Sequence, residues 1–233
     1  LLTAMTTERS RPLRLQLIRT LGILGAIDPQ HHRQLVLKHN RKDRNKQESK
    51  EEAEFTLPYI QASAPEFPPL FLLQVLMRIL KDPNLIAYHR LAMKNVAIAI
   101  QSLGKRSLIT HIKRILPPFF VILRKVNTAE LRSVGFMILA MIISTVEQHI
   151  RPFEPEITQL LVEFWSEDIV ESLLCCIEFL SLALTEDCKP IIHKVFPFFL
   201  RSLTLEATAN MTRESEQTTI MRFLECIEVI GFN

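Results

Sequence analysis

The sequence predicts an all-α fold, an α-solenoid built from repeated helical hairpins. Apolar residues recur with a helical period in many windows, and only five glycines occur among 233 residues. Apolar residue types make up 48% of the chain, which is enough to bury a continuous core. Prolines recur at a spacing near 40 residues, as expected when one structural unit repeats. No strand-type alternation competes with this prediction.

The amino-terminal elements form the first part of this array. The stretch "RPLRLQLIRTLGILGAI" from Arg11 predicts a helix that would be the second member of a hairpin. A complete hairpin follows, "FPPLFLLQVLMRIL", the turn "KDPN", and "IAYHRLAMKNVAIAIQSLG". The last segment ends at Gly104, a residue typical of helix C-caps. Its apolar stripe comprises Met93, Val96, Ala97, Ile100 and Leu103.

Three proline-containing segments define the repeat. Pro117, Pro155 and Pro197 lie 38 and 42 residues apart, and each is predicted to open a helix of about four turns. The second helices of these hairpins are expected from about Ala129, Asp168 and Glu214. Two-helix units of this length, with a proline in the first helix, favour HEAT-type repeats, about four to five of them.

Other segments refine this prediction. "ELRSVGFMILAMIISTV" is apolar nearly all round, which predicts a helix buried on both sides. Pro152 is predicted to end that helix and to hold Arg151 extended, because a residue before proline avoids helical dihedrals. Further apolar stripes are Ile157, Leu160, Leu161 and Phe164, then Val170, Leu173, Leu174, Ile177 and Leu184, and finally Ile220, Phe223, Leu224, Ile227 and Ile230.

One segment interrupts the array. The sequence predicts a single solenoid over residues 1–233 with a flexible, charged insertion at 30–65. Lys38 to Glu54 holds six Lys or Arg and five Asp or Glu without an apolar stripe. Its basic half could serve nuclear import or nucleic-acid binding, but a mobile loop is favoured, and a protease should cut first between Lys38 and Lys50. The net charge of +3 is too small to argue for nucleic acid.

The sequence nominates no catalytic, cofactor-binding or metal-ligating residue, and partner-binding residues stay unassigned. Glycine-rich phosphate loops, GxSxG and kinase motifs are missing from it.

The remaining notable residues are expected to be structural. The single Trp165 fits a core position better than a partner contact. The longest apolar run, Val134 to Ile143, is too short to cross a bilayer. The histidines, in no ligand spacing, are His31, His32, His39, His89, His111, His149 and His193. The cysteines, expected to be reduced and mostly buried, are Cys175, Cys176, Cys188 and Cys226, with one of the adjacent pair facing the core.

Several phrases in the correct order carry a family resemblance. "RTLGILGAIDP", "LMRILKDPNL", "QSLG" and "HIRPFEPEITQLLVEFW" resemble the amino-terminal HEAT region of the target-of-rapamycin (TOR) serine/threonine kinases. The 28–65 segment matches that family in position rather than in sequence. The chain is therefore expected to be a piece of a longer protein whose kinase domain lies elsewhere.

The resemblance implies a non-catalytic scaffold within a growth-controlling kinase that responds to nutrients. Implied partners are raptor-type or rictor-type subunits, a second TOR chain and a Rheb-type small GTPase, with no nucleic acid and no transmembrane segment. No cofactor is expected here, since ATP and Mg would belong to the kinase domain, and the implied location is the cytoplasm, including lysosomal or vacuolar membrane surfaces. The alternatives are a free-standing HEAT adaptor, such as a transport receptor or phosphatase scaffold, an enzyme with an unrecognised site, and a nucleic-acid binder.

Overall fold

A computed structural model describes residues 7–26 and 64–206, together with the single positions 4, 221 and 224. Every regular element within these residues is a helix, which confirms the all-α prediction. The chain divides into two compact units, Leu1–Lys125 and Val126–Asn233. The predicted insertion, 30–65, lies outside the described residues except for Ala64 and Pro65. Its flexibility and the single array over 1–233 stay predictions.

The described part of the first unit contains three long helices: α1 (Arg11–Ala26), α2 (Phe67–Lys81) and α3 (Ile86–Lys125). Helix α2 packs against both α1 and α3. It begins with prolines in its first turn, where a missing N–H costs no hydrogen bond. Asp82 then caps a short 3₁₀ turn, Pro83–Leu85, by accepting a hydrogen bond from the Asn84 N–H. The predicted hairpin is therefore present.

Helix α3 is two helices joined at a sharp break. Gly104 has φ 70° and ψ 161°, a combination that only glycine adopts readily, and it confirms the predicted end of the first helix. Met93, Val96 and Ile100 before the break are buried, while Ala97 is half-buried.

Two of the three predicted helix starts are wrong. Pro117 lies inside α3, because the break at Gly104 had already started that helix. Pro197 lies inside α7 (Lys189–Glu206), which has Pro190 in its first turn. Proline marks a helix start only in the first turn, where a backbone N–H has no partner within the helix and its loss costs nothing. A proline further along the helix carries no such information. Only Pro155 lies in the first turn of its helix as predicted, and that helix has 10 residues, fewer than the four turns expected.

The second unit alternates long helices with short 3₁₀ turns. Its described α-helices are α4 (Ala129–Val146), α5 (Glu154–Glu163), α6 (Val170–Leu184) and α7, and its described 3₁₀ turns are Glu147–Phe153, Glu167–Ile169 and Thr185–Cys188. Thr128 caps α4 by accepting a hydrogen bond from the Leu131 N–H at 3.4 Å. The start predicted near Glu214 lies outside the described residues.

Alternate helices of the second unit pack on one another. Helix α4 packs on α6, and α5 packs on α7. The second helices of consecutive hairpins thus form one layer, and the first helices form another, as in stacked helical repeats. Helix α4 buries eight of its 18 residues, from Gly135 to Val146. Met137 and Ser144 are exposed, so the helix is not buried on both sides as its composition predicts.

The same turn follows α4 and α6. Glu147 (φ 51°) and Thr185 (φ 50°) both have a positive φ, and each donates its N–H to the carbonyl four residues earlier. These residues are 38 apart, the spacing that separates Pro117 from Pro155. Each one starts a 3₁₀ turn, and an exposed ion pair of 2.5 Å joins Arg151 in the first turn to Asp187 in the second. The backbone conformation thus recurs at two positions whose side chains differ.

This turn corrects the prediction for Arg151 and Pro152. The preceding helix ends at Val146, five residues before Arg151, because Glu147 leaves helical dihedrals. Pro152 lies within the 3₁₀ turn, so Arg151 is not held in an extended conformation. A residue before proline prefers extended dihedrals. This preference is weaker than the constraint that the packing of α4 and α5 places on the turn between them.

The predicted apolar stripes of α5 and α6 form the core of the second unit. Ile157, Leu160 and Leu161 are fully buried, and Phe164 is half-buried where α5 ends. The α6 stripe, from Val170 to Leu184, is buried throughout. Of the last predicted stripe only Leu224 is described, and it is exposed; Ile220, Phe223, Ile227 and Ile230 lie outside the described residues.

One described stretch, Ala129–Glu163, is long and apolar enough to cross a membrane by length and composition alone. It comprises α4, a 3₁₀ turn and α5, so it is not one straight helix. Helix α4 alone has 18 residues, about 27 Å, against a hydrocarbon core of about 30 Å. Its apolar residues pack against α6, as in the core helix of a stacked repeat.

Candidate interaction surfaces

Two of the described histidines contact backbone carbonyls. Nε2 of His89 lies 3.0 Å from the Asp82 carbonyl, and Nδ1 of His149 lies 3.0 Å from the Val146 carbonyl. His193 is exposed on α7. Among the described residues no three His, Cys, Asp or Glu side chains are arranged to hold a metal ion. His31, His32 and His39 lie outside these residues.

A polar cluster joins the start of α2 to the second half of α3. Ser107 donates its hydroxyl to Glu66 Oε2 at 2.9 Å, and His111 Nε2 lies 3.8 Å from Glu66 Oε1. In a hydrolytic triad the imidazole lies between the hydroxyl and the carboxylate, whereas here the carboxylate lies between the other two. The cluster therefore lacks the order of a hydrolytic triad, and its contacts link the start of α2 to the second half of α3.

The adjacent cysteines differ in environment, as predicted. Cys176 is fully buried and its thiol lies 3.1 Å from the Phe136 carbonyl, whereas Cys175 is half-buried. Burial, followed by the neighbouring Cys175, raises the pKa of the Cys176 thiol well above its ordinary value. Cys188 is also buried and free of a disulfide, and burial raises its pKa to about 12. Such thiols stay protonated and are poor nucleophiles; Cys226 is not described.

An aromatic corner closes α5 against α4. The Arg132 guanidinium lies 4.4 Å from the centre of the Phe164 ring, and the same guanidinium donates to the Val126 carbonyl. Phe164 also meets the Phe136 ring at 6.4 Å. Trp165, the next residue, is half-buried rather than enclosed, so it lies at the edge of the core where one side of the ring meets solvent.

Helix α3 carries an unusual set of charges. Its 40 residues, Ile86–Lys125, include eight Lys or Arg and no Asp or Glu. At 100° per residue, five of the cations fall within a sector of about 120° on one face of the second half. This basic stripe consists of Arg106, Lys113, Arg114, Arg124 and Lys125. All five are exposed except Arg124, which is half-buried.

The rest of the first unit does not balance this charge. Residues 7–26 and 64–125 contain 14 Lys or Arg and three Asp or Glu, a net charge of +11. Residues 126–206 contain five Lys or Arg and 12 Asp or Glu, a net charge of −7. The whole-chain value of +3 therefore hides two oppositely charged units. A charge count for each predicted repeat would have revealed the difference without a structure.

An open cleft of about 390 Å³ lies between α5 and α7. It is lined by Pro155, Thr158, Gln159, Val162, Glu163 and Lys194. Thr158 donates its hydroxyl to Glu154 Oε1 at 2.9 Å, so part of this lining already has an internal partner. The cleft is shallow, and it lacks the enclosed apolar walls of small-molecule sites.

These features describe a protein of packed helices in which Ser107, His149 and Cys176 make structural contacts. Comparison with known proteins adds the family. A family model for the serine/threonine-protein kinase mTOR domain matches residues 1–147. The chain belongs to the TOR family of serine/threonine protein kinases.

Similarity to individual relatives extends over most of the chain. It is 29% identical to the serine/threonine-protein kinase TOR2 of Saccharomyces cerevisiae over 86% of its length, and that match covers 8% of the relative. It is 30% identical to mTor of Drosophila melanogaster over 99% of its length, covering 10% of the relative. For TOR of Arabidopsis thaliana the identity is 26% over 94% of the chain and 9% of the relative. The chain thus spans about a tenth of the length of these relatives.

Proposed function

We propose that this chain is a non-catalytic HEAT-type scaffold segment of a TOR-type kinase, serving complex assembly and partner binding. The observation that carries the proposal is the two-layer packing of the second unit, where α4 packs on α6 and α5 packs on α7. Helical repeats packed in this way present long outer faces and need no enclosed pocket. Membership in the TOR family supplies the parent protein.

The chemistry of the described side chains supports a scaffold. Ser107 hydrogen-bonds to Glu66, Cys176 contacts the Phe136 carbonyl, and His149 contacts the Val146 carbonyl. Each of these three groups contacts another residue of its own unit. In the proposal, ATP and Mg bind to a kinase domain elsewhere in the parent chain.

The expected partners are proteins of the kinase complex. We take raptor-type or rictor-type subunits, a second TOR chain and a Rheb-type small GTPase as candidates, because the chain's relatives are TOR kinases. The proposed location is the cytoplasm, including the surface of lysosomal or vacuolar membranes. A free-standing HEAT adaptor would show the same helical packing, but family membership favours the kinase parent.

The proposal can be tested in the full-length parent kinase. Sets of exposed residues on α1, α3 and α7 are replaced by residues of opposite charge, one helix at a time, and each variant is purified with its complex. At least one set should reduce recovery of an accessory subunit or of the dimer, while phosphorylation of a short peptide substrate stays within twofold.

A buried control, Leu139→Ala, should instead reduce the yield of folded protein. Two outcomes would contradict a scaffold: normal assembly for every surface set, or loss of peptide phosphorylation in a variant that assembles normally.

A further inference from the structure

We propose that the basic stripe of α3 docks an acidic segment of a protein partner. The inference rests on the proposed function only in taking the partner to be a protein. It commits to one surface, Arg106, Lys113, Arg114, Arg124 and Lys125, and to one chemistry, a row of carboxylates.

The described carboxylates of the first unit do not compensate the charge of Arg106, Lys113 and Arg114. The three described carboxylates there are Glu8, Glu66 and Asp82, and each is engaged by a nearby group. Glu8 accepts from the Ser10 N–H at 2.7 Å, Glu66 from Ser107 at 2.9 Å, and Asp82 from Asn84 at 2.9 Å. No described acidic group forms an ion pair with Arg106, Lys113 or Arg114. Cations left without internal partners are available to a ligand.

The spacing of the cations fits a protein segment. From Arg106 to Lys125 the helix rises about 28 Å, at about 1.5 Å per residue. Lys113 and Arg114 lie about 11–12 Å beyond Arg106, which is the rise of two helical turns. A partner helix with Glu or Asp at i, i+7 and i+8 would place carboxylates at matching intervals. The arginines add bidentate geometry toward carboxylates, which a lysine-only surface would lack.

The surroundings of the stripe favour a protein over a nucleic acid or a bilayer. Phe119 and Phe120 are fully buried, so they provide no platform for stacking bases. None of the exposed large apolar residues of the described part lies between Lys105 and Lys125, so a bilayer would find no apolar anchor there. The residues between the cations on this face are Thr110, Pro117 and Val121.

The test uses the 233-residue chain and a fluorescein-labelled helical peptide of about 20 residues with Glu at these spacings. Binding is followed by fluorescence anisotropy at 50 mM and 200 mM salt. The stripe variant is R106E/K113E/R114E. The matched control is R9E/R11E/R19E, three exposed arginines on or beside α1, which changes the net charge by the same amount. A neutral variant, R106Q/R114Q, tests the same surface if R106E/K113E/R114E does not fold.

The Glu peptide should bind at least tenfold more weakly to the stripe variant, severalfold more weakly to the neutral variant, and within twofold of normal to the control. The same peptide with Gln at every Glu should not bind. A 20-base-pair DNA duplex and phosphatidylserine vesicles serve as competing probes. Equal loss in the stripe and control variants would overturn the inference, as would unchanged binding in the stripe variants or a stripe-dependent preference for DNA or vesicles. Because neither the parent kinase nor its subunits enter this assay, its failure leaves the scaffold proposal standing.

Discussion

Replacing Thr185 with glycine should stabilise the second unit. Thr185 has φ 50° and ψ −119°, dihedrals that a β-branched residue rarely adopts. Its side chain is exposed, and its hydroxyl contacts only the adjacent Leu184 carbonyl at 2.8 Å. Little packing is therefore lost when the side chain is removed.

The expected gain follows from two opposing contributions. A non-glycine residue in sparsely populated dihedrals costs about 1–3 kcal/mol. Glycine reduces this gain in stability by about 0.4–1 kcal/mol, because it raises the conformational entropy of the unfolded chain. Thr185→Ala keeps the strain and removes the hydroxyl, so it is the proper reference. Thr185→Gly should be more stable than Thr185→Ala by roughly 0.5–2 kcal/mol.

The measurement is urea unfolding followed by the fluorescence of Trp165, the single tryptophan, which lies between α5 and α6 in the same unit. A second pair of variants, Ser144→Gly and Ser144→Ala, tests an exposed position inside helix α4. There the order should invert, with glycine less stable by about 1 kcal/mol, because ordinary helical dihedrals favour alanine. The reasoning is refuted if glycine is the less stable choice at both positions.

Three further predictions concern the core and the backbone. Gly104→Ala should lower stability by about 1–2 kcal/mol through its positive φ alone, since an added Cβ meets nothing within 4 Å; hydrogen exchange of Ile86–Lys125 should show faster opening there. Phe136→Ala should cost about 3–5 kcal/mol, against less than about 1 kcal/mol for the half-exposed Met137→Ala, in urea titrations. Burial raises the pKa of Cys188 from 9.0 to about 12, so the folded chain keeps a proton that the unfolded chain loses. Stability should fall between about pH 9 and 12, and less so in Cys188→Ala.

The sequence was informative wherever a residue has one strong physical preference. Gly104 breaks a helix because its dihedrals exclude other residues, and the stripe from Val170 to Leu184 is buried because apolar area drives packing. Proline gave mixed results: Pro155 starts a helix, whereas Pro117 and Pro197 lie within one. A proline is tolerated inside a helix when packing on neighbouring helices outweighs its lost hydrogen bond, and that packing is invisible in one sequence.

The recurring turn could not have been predicted. Glu147 and Thr185 share neither charge nor shape, and neither residue type favours a positive φ. Their common geometry arises from the way in which α4 and α6 end against the following helices. The basic stripe, by contrast, was present in the sequence, because charge counted over Ile86–Lys125 separates it from the acidic residues that follow. The whole-chain sum of +3 obscured it.

The change in charge coincides with the boundary between the two compact units, after Lys125. In helical repeats the inner faces carry the packing, so the outer faces can differ between neighbouring units without disturbing the core. A charge reversal at Arg106, Lys113 and Arg114 should therefore leave the Trp165-reported unfolding of the second unit within about 0.5 kcal/mol of normal, as for other surface substitutions. In the proposal the partner binds an outer face of the first unit, so partner preference could change there while the second unit keeps its structure. This separation would let a repeat segment serve as a scaffold with distinct surfaces along one chain.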